Sequence, residues 1–150
     1  MFEIVRTDAD NKDFIKLVKE LDSDLAIRDG EDHAFYAQYN KVDQIKNVVI
    51  VLEDEKAVAC GAIKHFSKNS MEVKRMYTLP AQRGKGLASL VLKELEIWAK
   101  ELGYNSCLLE TGLKQPEAIA LYQKNGYHII PNYGQYADVE NSRCFEKHLT

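Results

Sequence analysis

The chain's 150 residues, 45% hydrophobic and 29% charged, suit one ordinary globular domain spanning residues 1–150, with no internal repeat or low-complexity tract. Twenty Lys and Arg against 23 Asp and Glu leave a net charge of −3, which supplies no diffuse positive field and argues against a nucleic-acid partner. No apolar run approaches the roughly 20 residues that cross a bilayer, and residues 1–10 lack the apolar core of a secretion signal, so no membrane partner and a cytoplasmic location are expected.

Residues 2–6 read as a short strand. Asp8 or Asp10 can cap the helix that follows, in which Phe14, Leu17, Val18, Leu21 and Leu25 recur at helical spacing. A polar segment at 31–40 carries Phe35, Tyr36 and Tyr39, and the β-branched run 47–52 (NVVIVL) predicts a buried strand. The acidic turn 53–56 leads into a return strand over 57–66, where Gly61 marks a bulge or a close approach. Residues 71–79 (MEVKRMYTL) make a third consecutive strand, stopped by Pro80.

Over 86–102, Leu87, Leu90, Val91, Leu95, Trp98, Ala99 and Leu102 trace one face of a helix closed by Gly103. A strand at 106–111 follows, so strand, glycine turn, helix and strand form a βαβ unit with parallel pairing and a right-handed crossover. Pro116 and Gly126 bracket a last helix at 117–125, and 127–130 and 143–148 close the domain as strands. The fold class is α/β: a mixed, mostly antiparallel sheet with a central βαβ unit and flanking helices. Cys60, Cys107 and Cys144 each sit beside apolar residues and read as reduced core thiols. No Cys/His ligand spacing occurs and the four histidines are scattered, so no metal is expected.

The stretch Arg83-Gly84-Lys85-Gly86-Leu87-Ala88 opens the strongest helix. Its glycines permit positive φ and close approach of a ligand to the backbone, while the first helical turn offers unpaired N–H groups. The helix dipole and the two cations make this a natural anion nest for a phosphate or diphosphate. A flexible loop that merely starts a core helix is the plainer alternative. A Walker A loop is excluded, because Gly86 follows Lys85 where a hydroxyl residue is required. A dinucleotide fingerprint meets Ser89 at its third glycine and lies after a meander, so it fits poorly.

The same stretch resembles motif A of the GNAT superfamily of N-acetyltransferases, Q/R-x-x-G-x-G/A, met by Arg83, Gly86 and Ala88 directly after a strand. The segment ALYQKNGY, residues 120–127, is similar to a second hallmark of that family, and the likeness runs over nearly the whole chain. It implies a single-domain GNAT-like fold and acetyl-CoA (coenzyme A) as cosubstrate. It places the backbone of Met76, Tyr77 and Thr78, the turn Arg83, Gly84, Lys85, Gly86, Leu87 and Ala88, and the side chains of Gln115 and Tyr122 against that cosubstrate. Gln115 stands where many members carry Asn.

An acetyl thioester donor implies an amine acceptor, which must lose a proton before it attacks. Glu72, with Glu110 second, is the expected base; a salt bridge to Lys74 or Arg75 is the alternative for each. By resemblance, the amide of Met76 or its neighbour faces the carbonyl oxygen, and Tyr122 protonates or hydrogen-bonds the departing sulfur; from helical periodicity alone Tyr122 would be a packed ring. Transfer is expected to be direct, without an acyl-enzyme. Arg28, Tyr36, Tyr39, Tyr133 and Tyr136 fall in segments that flank the acceptor cleft of such proteins, and their hydroxyl-tipped rings suit a small polar amine or a peptide. A non-catalytic acyl-CoA sensor is the competing function, and the sequence leaves a homodimer open.

Overall fold

The computed structural model describes residues 2–30 and 45–150, apart from the side chains of Arg28 and Asp29. The elements run β1 (Phe2–Thr7), α1 (Lys12–Asp29), β2 (Asn47–Glu53), β3 (Lys56–His65), β4 (Ser70–Thr78), α2 (Leu87–Glu101), β5 (Ser106–Gly112), α3 (Pro116–Lys124), β6 (His128–Ile130) and β7 (Ser142–His148). Single turns of 3-10 helix occupy Pro80–Gln82 and Gly134–Tyr136. The strands form one sheet in the order β1-β2-β3-β4-β5-β7-β6, antiparallel throughout except for the parallel pair β4–β5. This is the expected meander feeding a βαβ unit.

One expected cap differs. Asn11, not Asp8 or Asp10, starts α1: its Oδ1 accepts from the Phe14 amide at 3.0 Å. Three residues separate the two, the spacing at which a cap side chain reaches the N3 amide. Asp8 instead accepts from the Asp10 amide at 2.9 Å and shapes the preceding turn.

Alternation along the strands builds a core on each side of the sheet. One side carries Val49, Val51, Ile63, Met71, Val73, Cys107, Leu109 and Phe145 against the apolar stripe of α2 and against Tyr122 of α3. Leu92 and Leu95 of α2 are fully buried, and each such leucine contributes about 2 kcal/mol by area burial. The other side packs Val48, Ile50, Cys60 and Ala62 under Phe14, Leu17 and Val18 of α1. Cys60, Cys107 and Cys144 are free and buried, as expected. No helix among the described residues is long and apolar enough to cross a membrane.

The parallel pair is short. β4 and β5 are in register only at Ser70–Ser106, Met71–Cys107 and Glu72–Leu108, although β4 continues to Thr78 and β5 to Gly112. Beyond Glu72 the two strands part, and the sheet opens in its middle.

Candidate active site

The opening coincides with a bulge in β4. Cys60 pairs with Tyr77 and Ala62 with Lys74, so Arg75 and Met76 together oppose Gly61. Arg75 takes φ +59°, a left-handed conformation that costs a non-glycine residue about 1–3 kcal/mol and needs surrounding contacts to hold it. Those contacts are visible. The buried guanidinium is ion-paired to Asp22 of α1, and the Cys60 thiol donates to the Arg75 carbonyl at 3.5 Å. Gly61 is the close approach anticipated at that position: a Cβ there would lie 2.5 Å from Met76 Sδ and 2.7 Å from Val91 Cγ1.

A cavity of about 450 Å³ runs from this gap to the start of α2. On the α2 side it is lined by Arg83, Gly84, Gly86, Leu87 and Ala88. Gly86, at φ +79°, is the N-cap, and no side chain caps the helix, which leaves first-turn amides available to an anion. A Cβ on Gly84 or Gly86 would meet nothing within 4 Å, so their positive φ and the room above them, not crowding by protein atoms, account for glycine. Arg83 folds back, donating from Nε to the Thr78 carbonyl at 3.0 Å with its guanidinium over the Tyr77 ring. Lys85 bonds Gln82 Oε1 at 2.7 Å on the exposed side of the turn and does not line the cavity.

Met76, Tyr77 and Thr78 of β4 form one wall of the cavity, and Gln115 just before α3 and Tyr122 within it form part of the other. Tyr122 is 7% exposed and packs edge-on to Tyr127. Burial, and secondarily the charge of Glu110, hold its phenol well above the usual range, so it stays protonated. Asn125 clips α3 to the first turn of α2 by donating to Ser89 Oγ at 3.1 Å and to the Leu121 carbonyl at 2.9 Å. That residue lies within ALYQKNGY, yet nothing in the motif alone announces the clip.

The floor is charged. Glu72 pairs across to Leu108, and Glu110 lies two residues further along β5 on the same face, so both carboxylates border the gap. Lys74 lines it too: burial lowers its amine below the ordinary lysine value, opposed by Glu72 and Glu110. Tyr136 reaches the cavity from the late loop, its phenol raised by burial and then by Glu110 and Glu72. Tyr133 stands outside the lining and donates from its hydroxyl to Glu72 Oε2 at 2.8 Å. Tyr36, Tyr39 and the side chain of Arg28 lie outside the described residues. Lys74, Arg75 and Asp24 also reach the cavity but were not anticipated as site residues. Lys74 was legible from its alternation with Glu72; the placing of Arg75 depends on the bulge.

The family model for the Acetyltransferase (GNAT) family matches residues 13–127. The chain is 38% identical over 93 residues to the IAA acetyltransferase of Azospirillum brasilense, an alignment spanning 61% of this chain and 61% of that relative's length. Among solved structures, a candidate acyl-CoA N-acyltransferase of Klebsiella pneumoniae superposes with TM-score 0.82 at 28% identity, covering 100% of this chain and 99% of that one. A GNAT family acetyltransferase of Elizabethkingia anophelis, solved with acetyl-CoA bound, shares the fold at TM-score 0.73 and 16% identity, with 99% of this chain and 98% of that one covered.

Proposed function

Because this chain belongs to the GNAT acetyltransferase family, we propose that it moves the acetyl group of acetyl-CoA directly onto the amine of a small-molecule or peptide acceptor. One observation carries this reading: the uncapped glycine turn and the opening between β4 and β5 share one cavity, with two carboxylates and a buried tyrosine facing it. The Elizabethkingia neighbour's bound acetyl-CoA supports the choice of donor.

Amides of the turn from Gly84 to Gly86 and of Leu87 and Ala88 in the first helical turn hold the diphosphate, with Arg83 beside them and Lys85 adding charge from outside the cavity. Gln115 and the main chain of Met76, Tyr77 and Thr78 align the pantetheine arm, and an amide at the bulge faces the thioester carbonyl. Glu72, or Glu110 through water, takes the proton of the acceptor ammonium. The freed amine forms the C–N bond as the C–S bond breaks, the Tyr122 hydroxyl donates its proton to the departing thiolate, and the proton left on the new amide nitrogen passes through water to restore the Tyr122 phenol. Tyr136, together with Arg28, Tyr36, Tyr39 and Tyr133 from the flanking segments, shapes the acceptor side. Tyr133 acts there through Glu72, which it holds in one orientation.

The test is release of free CoA thiol from acetyl-CoA across a panel of amino acids, polyamines, aminoglycosides and peptide N-termini. Amine-dependent release is expected. Tight acetyl-CoA binding with no release for any amine would overturn transfer and favour a sensor; failure to bind acetyl-CoA would overturn the whole reading.

A further inference from the structure

The geometry points to a divalent transition-metal site at the sheet's outer edge, built from His128 of β6 and Glu146 and His148 of β7. Register brings the three together: His128 is the direct cross-strand partner of Glu146, and His148 lies two residues along β7 on the same face. One ligand atom from each residue can be chosen so that all lie within 4.8 Å of one another. The two imidazole rings have centroids 6.1 Å apart and are tilted by 32°, and His148 Nε2 is 3.7 Å from Glu146 Oε1.

Donors bound at about 2.0–2.1 Å in a tetrahedral site stand about 3.3–3.5 Å from one another. The His148–Glu146 pair is already near that separation. Both histidines are exposed and Glu146 is half-buried, so a closing movement of up to about 1.5 Å is within reach of side-chain rotation. Apart from the approach of His148 to Glu146, no polar contact among the described residues engages either imidazole.

Two imidazoles and one carboxylate select zinc, nickel or copper over calcium and magnesium, which prefer all-oxygen shells. Three protein donors leave a coordination position for water or another ligand. The site shares the sheet face of the cleft. The row Glu72–Leu108–Glu146–His128 crosses β4, β5, β7 and β6, which puts Glu146 about 10 Å from Glu72, two strand spacings away. A bound ion would tie the three-residue edge strand β6 to β7. The histidines are 20 residues apart in the chain, which is why sequence spacing does not reveal them.

The experiment is calorimetric titration of zinc chloride into the full chain at neutral pH. One-to-one binding is expected, weakened at least about tenfold in His128→Ala and in His148→Ala. Both positions are exposed, and unchanged thermal midpoints of the metal-free variants would show that folding is intact. With cupric ion, electron paramagnetic resonance should show nitrogen hyperfine splitting that simplifies in each variant. Wild-type affinity in either histidine variant, sulfur ligation from a cysteine, or no stoichiometric uptake below millimolar zinc would overturn the assignment.

Discussion

Gly61→Ala is the sharpest probe of how packing positions the cleft. The added Cβ would lie 2.5 Å from Met76 Sδ, 2.7 Å from Val91 Cγ1 and 3.1 Å from Leu95 Cδ1. The Met76 thioether is flexible and can swing aside. Val91 cannot, because a β-branched side chain in a helix has essentially one rotamer, and Val91 is fully buried. Relief must therefore come from displacing α2 or the β4 bulge, and over-packing of this kind costs about 1–3 kcal/mol. Both elements border the cavity, so the KM for acetyl-CoA should rise as well: 1 kcal/mol in cosubstrate binding is about a fivefold change. Urea unfolding measures the first effect, which corresponds to a drop in Tm of about 2–12 °C for a domain of this size. Adding Val91→Ala should recover part of the loss, with a coupling of at least about 0.5 kcal/mol between the two sites. A Gly61→Ala protein within about 0.5 kcal/mol of wild type, with unchanged KM, would refute the close-packing argument.

Three further outcomes follow from the site. Gly86→Glu should abolish acetyl-CoA binding in a folded protein, since its side chain enters the space above the turn and carries the charge of the ligand; isothermal titration reads it, and unchanged affinity would remove the nest. Tyr122→Phe should lower kcat by about 10²–10⁴-fold with little effect on acetyl-CoA KM, the pattern of a lost general acid; equal turnover would reduce Tyr122 to packing. Lys74 has a folded pKa below its unfolded value of 10.5, so between those two values the unfolded chain holds the extra proton and stability rises with pH. The unfolding free energy of wild type relative to Lys74→Met should accordingly climb as pH approaches 10.5, and a falling difference would show that the carboxylates outweigh burial at Lys74.

The parts of the site legible in the sequence are those set by local chemistry. The glycine turn and the Pro116 start of α3 follow from residue type and spacing, and both are present; the apolar stripe of α2 is present at Leu87, Val91, Leu95 and Ala99, but Leu90 and Leu102 are exposed and Leu92, outside the predicted stripe, is buried. The parts that escaped depend on contacts between distant segments. No residue preference predicts Arg75 in a left-handed conformation; it is held by Asp22 and the Cys60 thiol, more than fifty and fifteen residues away respectively. The Asn11 cap was missed because three acidic or amide residues compete within four positions, and only geometry selects among them. The histidine pair of β6 and β7 is a matter of register, which periodicity within a single strand cannot supply.

The bulge joins the two sides of the sheet. Arg75 is anchored to α1 through Asp22, while Met76, the next residue, packs against the core on the α2 side. β4 stops pairing with β5 after Glu72, while its register with β3 stays regular through Lys74 and breaks only at the bulge. The extra residue bends β4 within the stretch that has already left β5, next to the cavity-lining Lys74 and across from Glu110. The strain at Arg75, about 1–3 kcal/mol, is offset by an ion pair on one face and a thiol contact from the neighbouring strand. The packing of α1 and the wall of the cleft therefore meet at one bulge beside the charged floor, so a change that loosens the Asp22 contact acts on the cleft wall through the next residue, Met76.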